Sequence, residues 1–244
     1  LEGRSFLTNC LPPLSILSIA AYLEMKGFAV KVIDVHAERM SPETLIDRLR
    51  DYNPRYVGIS VLASMVVAAH SIARLVKEQV PDCVVVMGGV HAEIEPWRML
   101  QNSSVDLVVR GDGERPMASI VAGEPWDNIQ SVTFVLPNGT VYENPPQPVE
   151  MDLDTYPMPA YHLVDFNRYF PSATSYRNLP AINIIMTRGC PGKCTFCNSA
   201  DTILRSRSPQ NVFEQIKLLR ERYGIKQVQF FDDTFTVNKT GVLE

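Results

Sequence analysis

At 244 residues the chain has room for one large domain or two modest ones, and a hydrophobic content of 45% is enough to bury an ordinary core. Its 23 basic side chains are outnumbered by, and scattered among, 27 acidic ones, and the net charge of −4 offers a nucleic-acid backbone no attractive surface. No apolar run approaches the roughly 20 residues needed to cross a bilayer, and no charged-then-apolar leader opens the chain, so a cytoplasmic protein with no nucleic-acid partner and no membrane span is expected.

The first half alternates strand-like apolar runs with helical patterns. Strands are expected over Phe28–Asp34, Tyr56–Ser60, Val84–Gly88 and Leu107–Arg110, and helices near Leu14–Lys26, Pro42–Asp51, Ala63–Gln79 and Glu93–Gln101. That alternation is the mark of βαβ units and a doubly wound parallel sheet, an α/β fold. Ser41-Pro42 supplies a capping hydroxyl and a first-turn proline, and Gly27 terminates the first helix. Only Arg4–Cys10 is available as the first strand, and it is short and half polar. In a sheet ordered 2-1-3-4-5 that strand is central, so its truncation would leave neighbouring edges unpaired. The start at Leu1 without a methionine, and the stop at Glu244 just after a strand pattern, read as an excerpt of a longer product.

Gly88-Gly89 and Gly111-Asp112-Gly113 follow strands, at the edge where open α/β sheets bind ligands. Missing side chains there let the backbone approach a flat macrocycle or a nucleotide tail. The bland alternative is a nucleotide-type scaffold that binds nothing, since fold alone does not fix function. His70 reads as a packed or surface residue of its helix, whereas His91, just past the glycine pair, is a candidate cofactor contact.

Farther on, Asn138-Gly139 between two apolar runs signals a hairpin near 131–142. Prolines then crowd residues 145–171 and mark an extended linker, whose aromatic run from Tyr156 to Phe170 is expected to pack as core between domains. The resulting division is 1–145 for the sheet domain, 146–178 for the linker and 179–244 for a second α/β segment.

That segment opens with the apolar strand pattern Ala181–Met186, followed by Cys190, Cys194 and Cys197 in CxxxCxxC spacing. Three thiolates on one strand-end loop leave a four-iron cluster one ligand short, and a metal centre with an open position can bind and activate a substrate. A structural zinc loop is the alternative. It would want a fourth Cys or His at ligand spacing, while Cys10 and Cys83 lie far upstream and the nearest histidine is His162. Cys83 opens an apolar strand and reads as core. Three cysteines packed into one loop are a poor disulfide framework and suit a reducing compartment.

Ser208, Pro209 and Gly224 bracket the next helix, and Arg205 and Arg207 before it are candidate anion contacts or part of a solvated turn. The strand Gln227–Phe231 then runs into Asp232-Asp233-Thr234-Phe235, placing carboxylates at a strand's C-terminal end, where barrel enzymes keep their active sites. A solvated turn is again the alternative.

The cysteine loop, with aromatic Phe196 before its last cysteine, resembles the signature of the radical S-adenosylmethionine (SAM) enzymes. The resemblance implies a [4Fe-4S] cluster held by Cys190, Cys194 and Cys197, SAM chelated on the open iron, Phe196 packed beside SAM, and Asp232 or Asp233 on its amino group. Upstream, Ser60-x-Leu62, Gly88-Gly89 leading to His91, and Gly111-Asp112-Gly113-Glu114 are similar to the cobalamin-binding domain of one large radical SAM subfamily. Cobalamin contacts at Ser60, Leu62, Gly88, Gly89, His91, Gly111, Gly113 and Glu114 follow from that likeness. Asp34-Val-His36-Ala-Glu-Arg39 looks like the histidine motif that ligates cobalt in other corrinoid proteins, but arginine stands where glycine belongs and the run lies too close to Ser60. Cobalamin without a protein histidine below cobalt is therefore implied.

The expected fold is thus a Rossmann-like cobalamin-binding domain followed by the first βα units of a TIM-type barrel. The expected function is methyl transfer to an unactivated centre of a small molecule, with an electron donor such as flavodoxin or ferredoxin and anaerobic or microaerobic chemistry. The enzymatic alternative is oxidative ring formation like that of anaerobic magnesium-protoporphyrin ester cyclases. A non-catalytic corrinoid or metal-binding module is the alternative from another class.

Overall fold

The computed structural model describes residues 10–172, 174–237 and 239–243. They form two compact units. One comprises Tyr22–Val30 and Arg39–Val149; the other takes the described residues up to Ala21, Lys31–Glu38 and those from Glu150 onward.

Among the described residues helix α1 (Leu14–Met25) comes first, and it is followed by Gly27 at φ 86°, the left-handed turn expected at a helix end. The unit built on Arg39–Val149 opens with α2 (Pro42–Tyr52), where Ser41 Oγ accepts the Thr44 N–H at 3.3 Å. Strand β1 (Tyr56–Ser60), α3 (Val66–Gln79) and β2 (Val84–Gly88) form a βαβ unit with its strands parallel; α3 buries Ala69, Ala73 and Val76, a stripe at helical spacing. Short helices α4 (Val90–Ile94) and α5 (Pro96–Met99) lead to β3 (Leu107–Val109), α6 (Glu114–Ala122) and the hairpin β4 (Val132–Val135) and β5 (Val141–Glu143). The sheet order is β1-β2-β3-β4-β5, with the first three strands parallel and the last two antiparallel. Val85, Val86, Met87, Leu107, Val108 and Val109 are buried, as parallel strands covered on both faces require.

Two expectations in this half are corrected. Phe28–Asp34 forms no strand. Its expected ladder partner, Arg4–Cys10, lies outside the described residues except for Cys10, whose backbone instead exchanges hydrogen bonds with Phe170. The observed β1-β2-β3 order is the 3-4-5 half of the expected sheet. The single helix over Glu93–Gln101 is in fact two, because Pro96 has no N–H to continue the first and forces Glu95 out of helical geometry, to φ −132° and ψ 58°.

In the other unit, the stretch after Glu150 carries three short 3₁₀ turns, two of them capped by Asp152 and Asp165. Its Tyr156, Ala160, Tyr161 and Tyr169 are buried, so the aromatics serve as core. Strand β6 (Ala181–Ile184) continues into β7 (Thr187–Arg188), and β8 (Arg205–Ser206), α7 (Pro209–Tyr223), β9 (Gln227–Phe230) and α8 (Lys239–Leu243) follow. β6 and β9 pair in parallel, Ala181 with Gln227 through Ile184 with Phe230, and α7 is their crossover. Ile182, Ile184, Val212, Leu219 and Ile225 close over Leu14, Leu17 and Tyr161 in one core. Among the described residues this is one βαβ unit and not a closed barrel.

Candidate functional site

The loop between β7 and β8 carries the three cysteines, and its two ends are tied together by the antiparallel pairing of Thr187 with Ser206 and Arg188 with Arg205. Gly189 sits at φ 86°, and a Cβ there would lie 2.2 Å from the Ile203 carbonyl oxygen. Only glycine lets the two arms of the loop pass this closely. Thr202 is the internal rivet: its N–H donates to the Cys190 carbonyl at 3.0 Å, and its Oγ1 accepts the Cys190 N–H at 2.9 Å and donates to the Ser199 carbonyl at 2.7 Å. Asp201 N–H reaches the Gly192 carbonyl at 2.7 Å and Cys197 N–H the Cys194 carbonyl at 3.1 Å. Most of the loop's backbone bonding is met by backbone and by Thr202, and the sulfurs of Cys194 and Cys197 take no part in it among the described residues.

All three thiols are free; Cys190 is partly buried, and Cys194 and Cys197 are exposed. Phe196 projects with 91% of its surface open. Three thiols on one loop are a donor set that a cluster with one iron left open can use, each thiolate on a separate iron. Of the other two cysteines, Cys83 is buried and burial pushes its thiol up to about 11, while burial, then the nearby Asp34, raises that of Cys10.

The end of β9 braces this loop. Asp232 Oδ1 accepts the Met186 N–H at 3.1 Å, the Thr187 hydroxyl at 2.6 Å and the Thr187 N–H, and its Oδ2 is buried without a hydrogen-bond partner. Asp233 is exposed. The two carboxylates, equivalent on paper, therefore face different tasks. Thr234 Oγ1 lies 3.1 Å from Cys190 Sγ. The sequence pattern gives no hint of Thr187, Thr202 or Thr234, because the three threonines belong to separate segments that meet only in the fold.

Arg207 is not a solvated turn residue. It is buried, donating from Nη1 to the Tyr156 carbonyl and Asn211 Oδ1, each at 3.1 Å, and from Nη2 to the Pro157 carbonyl at 3.0 Å. Its charge is spent on the stretch that precedes the loop, and it has no free face for an anion.

In the sheet unit, Ser60, Gly88 and Gly89 come together at the C-terminal ends of β1 and β2, with Ser60 opposite Gly88 in register. Gly89, at φ 94°, approaches so closely that a Cβ would stand 3.1 Å from Ser60 Oγ, Val61 N and Val61 O. Val61 N–H donates to the Gly88 carbonyl at 2.8 Å and His91 N–H to the Val61 carbonyl at 3.2 Å, locking the two strand ends. Leu62 and Val90, each 48% exposed, leave an apolar rim at this edge, the kind of surface a macrocycle covers. Gly111, after β3, is at φ 69° with open space where a Cβ would be, and Gly113 caps α6. The His91 ring stands 3.6 Å from Glu95 across one helical turn. Glu114, the first residue of α6, is 2% exposed. His36 is exposed, in a turn where Asp34 Oδ1 accepts the His36 and Ala37 N–H groups.

Residues 6–121 match the B12 binding domain, and residues 184–244 match the Radical SAM superfamily. The chain thus carries a B12-binding match in its first half and a Radical SAM match at its end. Among curated relatives, an uncharacterized methyltransferase, PH0819, of Pyrococcus horikoshii is 31% identical over 96% of the chain and 51% of its own length. The anaerobic magnesium-protoporphyrin IX monomethyl ester cyclase of Synechocystis is 28% identical over 94% of the chain and 46% of its own length. The chain thus spans about half the length of these relatives. Among solved structures, the radical SAM methyltransferase TsrM of Kitasatospora setae superposes with a TM-score of 0.75 at 20% identity, covering 96% of this chain and 48% of that one. TsrM has also been solved with cobalamin and a [4Fe-4S] cluster bound. At that identity the likeness is one of fold. No helix among the described residues is long and apolar enough to cross a membrane.

Proposed function

We propose that this chain is the cofactor-binding part of a radical SAM methyltransferase that uses a [4Fe-4S] cluster, SAM and cobalamin and acts on a small molecule. The observation that carries the reading is the strand-end loop of three reduced cysteines, braced by a carboxylate from the next parallel strand, in a chain whose other half matches a B12 binding domain. When bound, the cluster would supply the electron that cleaves SAM to a 5′-deoxyadenosyl radical, and cobalamin would supply the methyl group.

The protein's part is to bind, orient and exclude. Cys190, Cys194 and Cys197 would hold the cluster, three thiolates leaving one iron for SAM. Phe196, exposed on the same loop, would pack beside SAM, and Asp233, exposed at the end of β9, would take its amino group while Asp232 fixes the loop. Ser60, Leu62, Gly88, Gly89, His91, Gly111 and Gly113 would line cobalamin, Gly89 by allowing backbone approach and Leu62 by apolar contact. Glu114, at the start of α6 beside Gly113, would contribute to the same cobalamin edge. A low-potential donor such as flavodoxin or ferredoxin would supply the electron, and the cytoplasm, which keeps thiols reduced, is the fitting compartment.

The deciding experiment is anaerobic electron paramagnetic resonance on the full-length protein, reconstituted with iron and sulfide and chemically reduced. The expected result is a [4Fe-4S] signal that changes on addition of SAM. A fully loaded cluster indifferent to SAM would make this a closed electron-transfer site and sink the reading. The cyclase relative favours oxidative ring formation as the second reading. Methyl-labelled SAM separates the two, since the label appears in the product only if a methyl group is transferred.

A further inference from the structure

The three cysteine sulfurs are not equivalent. Cys190 Sγ lies 3.4 Å from the Gly192 N–H and 3.1 Å from Thr234 Oγ1. Among the described residues, the Cys194 and Cys197 sulfurs have no hydrogen-bond partner, and both residues are exposed. One corner of the loop is therefore hydrogen-bonded and partly buried, and the other two are open.

The Thr234 hydroxyl reaches that corner from a different element. It sits two residues beyond Asp232, whose carboxylate accepts from Met186 and Thr187 at the base of the loop. The carboxylate fixes where the end of β9 stands relative to the loop, and the hydroxyl then meets the sulfur. A thiolate bound to iron has no proton to give, so in the loaded protein the threonine O–H must be the donor. Resting on the proposed cluster ligation, we infer that Thr234 is a positioning residue that donates a hydrogen bond to the Cys190 thiolate and raises the reduction potential of the cluster. The physical reason is charge: the reduced cluster carries one more negative charge than the oxidised one. A donor aimed at a ligand sulfur stabilises the reduced form more, and hydrogen bonds to the sulfurs are among the main determinants of cluster potential.

The test is a potentiometric titration of the reconstituted full-length protein, followed by the [4Fe-4S] paramagnetic signal, for wild type, Thr234→Val, Thr234→Ala and Thr234→Ser, with iron and sulfide content measured for each. Each titration reads the uptake of one electron per cluster from dithionite. Thr234→Val and Thr234→Ala are expected to load iron as wild type does and to shift the midpoint to more negative potential, while Thr234→Ser, which keeps the hydroxyl, returns it to the wild-type value. A merely structural threonine would leave the midpoint unmoved. Equal midpoints at equal iron content overturn the assignment. So does failure of both Val and Ala variants to load iron, which would make Thr234 an assembly residue. A wild-type protein that takes up no cluster would instead overturn the ligation beneath it, an outcome visible before any variant is compared.

Discussion

Asp232 and Asp233 are adjacent in the chain and follow the same strand, yet one is consumed by the fold and the other is left to the solvent. Asp232 takes three donors on one oxygen, from Met186 and Thr187. Hydrogen bonds to a charged acceptor contribute about 1.5–3 kcal/mol each when buried, and this side chain is partly exposed, so Asp232→Ala should cost about 3 kcal/mol in total. Asp233→Ala should change stability by no more than about 0.5 kcal/mol but weaken SAM binding. Calorimetric unfolding of both variants, beside a SAM titration of Asp233→Ala, checks the division; equal destabilisation by the two would refute it. The cysteines sort by environment in the same way. With its thiol pushed up to about 11 by burial, Cys83 stays protonated at pH 8 and is shielded, while Cys194 and Cys197 are exposed. Brief iodoacetamide treatment of the reduced, cluster-free protein at pH 8 should alkylate Cys194 and Cys197 well before Cys83, as peptide mass spectrometry would report.

At the scale of elements, the cysteine loop depends on one backbone crossing. Gly189 combines a left-handed φ with a Cβ position 2.2 Å from the Ile203 carbonyl oxygen, so Gly189→Ala must rebuild the loop as well as strain it, beyond the 1–2 kcal/mol or so of the conformational term alone. Iron incorporation should fall severalfold while the far-ultraviolet circular dichroism stays that of wild type, because β6, α7 and β9 have a core of their own; unchanged iron content would refute the crossing's importance. The spacing of the cysteines and the strand before them were legible in the sequence because ligand spacing and apolar runs are local. Gly189's necessity was not, since it depends on Ile203, 14 residues away by number. The same limit explains the misread elements. Phe28–Asp34 has a strand's composition but no ladder among the described residues, and a strand exists only where a neighbour accepts its hydrogen bonds. Pro96, by contrast, is a local signal in plain view, and its break of the helix at Glu95 follows from proline's missing N–H. Arg207 read as a surface cation because its partners, Tyr156 and Pro157, are some 50 positions earlier in the chain.

At the scale of the whole molecule, the chain carries two candidate sites on two cores. The glycine edge, Gly88 and Gly89 against Ser60, belongs to a sheet whose buried valines lie within Arg39–Val149. The cysteine loop belongs to the β6-α7-β9 unit, whose core is drawn from Leu14, Leu17, Tyr161 and the strands themselves. Each unit closes its own apolar surface, so loss of a loop thiol leaves no cavity in the sheet unit and removes none of its hydrogen bonds. Cys194 is the cleanest place to apply this, being exposed and free of any side-chain hydrogen bond among the described residues. In the full-length protein, Cys194→Ala should abolish reductive SAM cleavage, read as 5′-deoxyadenosine formed, and leave the cobalamin affinity, read from the visible absorption of the bound corrinoid, within about twofold of wild type. A variant that still cleaves SAM at the normal rate would remove the cluster assignment. One that loses cobalamin as well would show that the two sites are coupled, which the separate cores give no reason to expect.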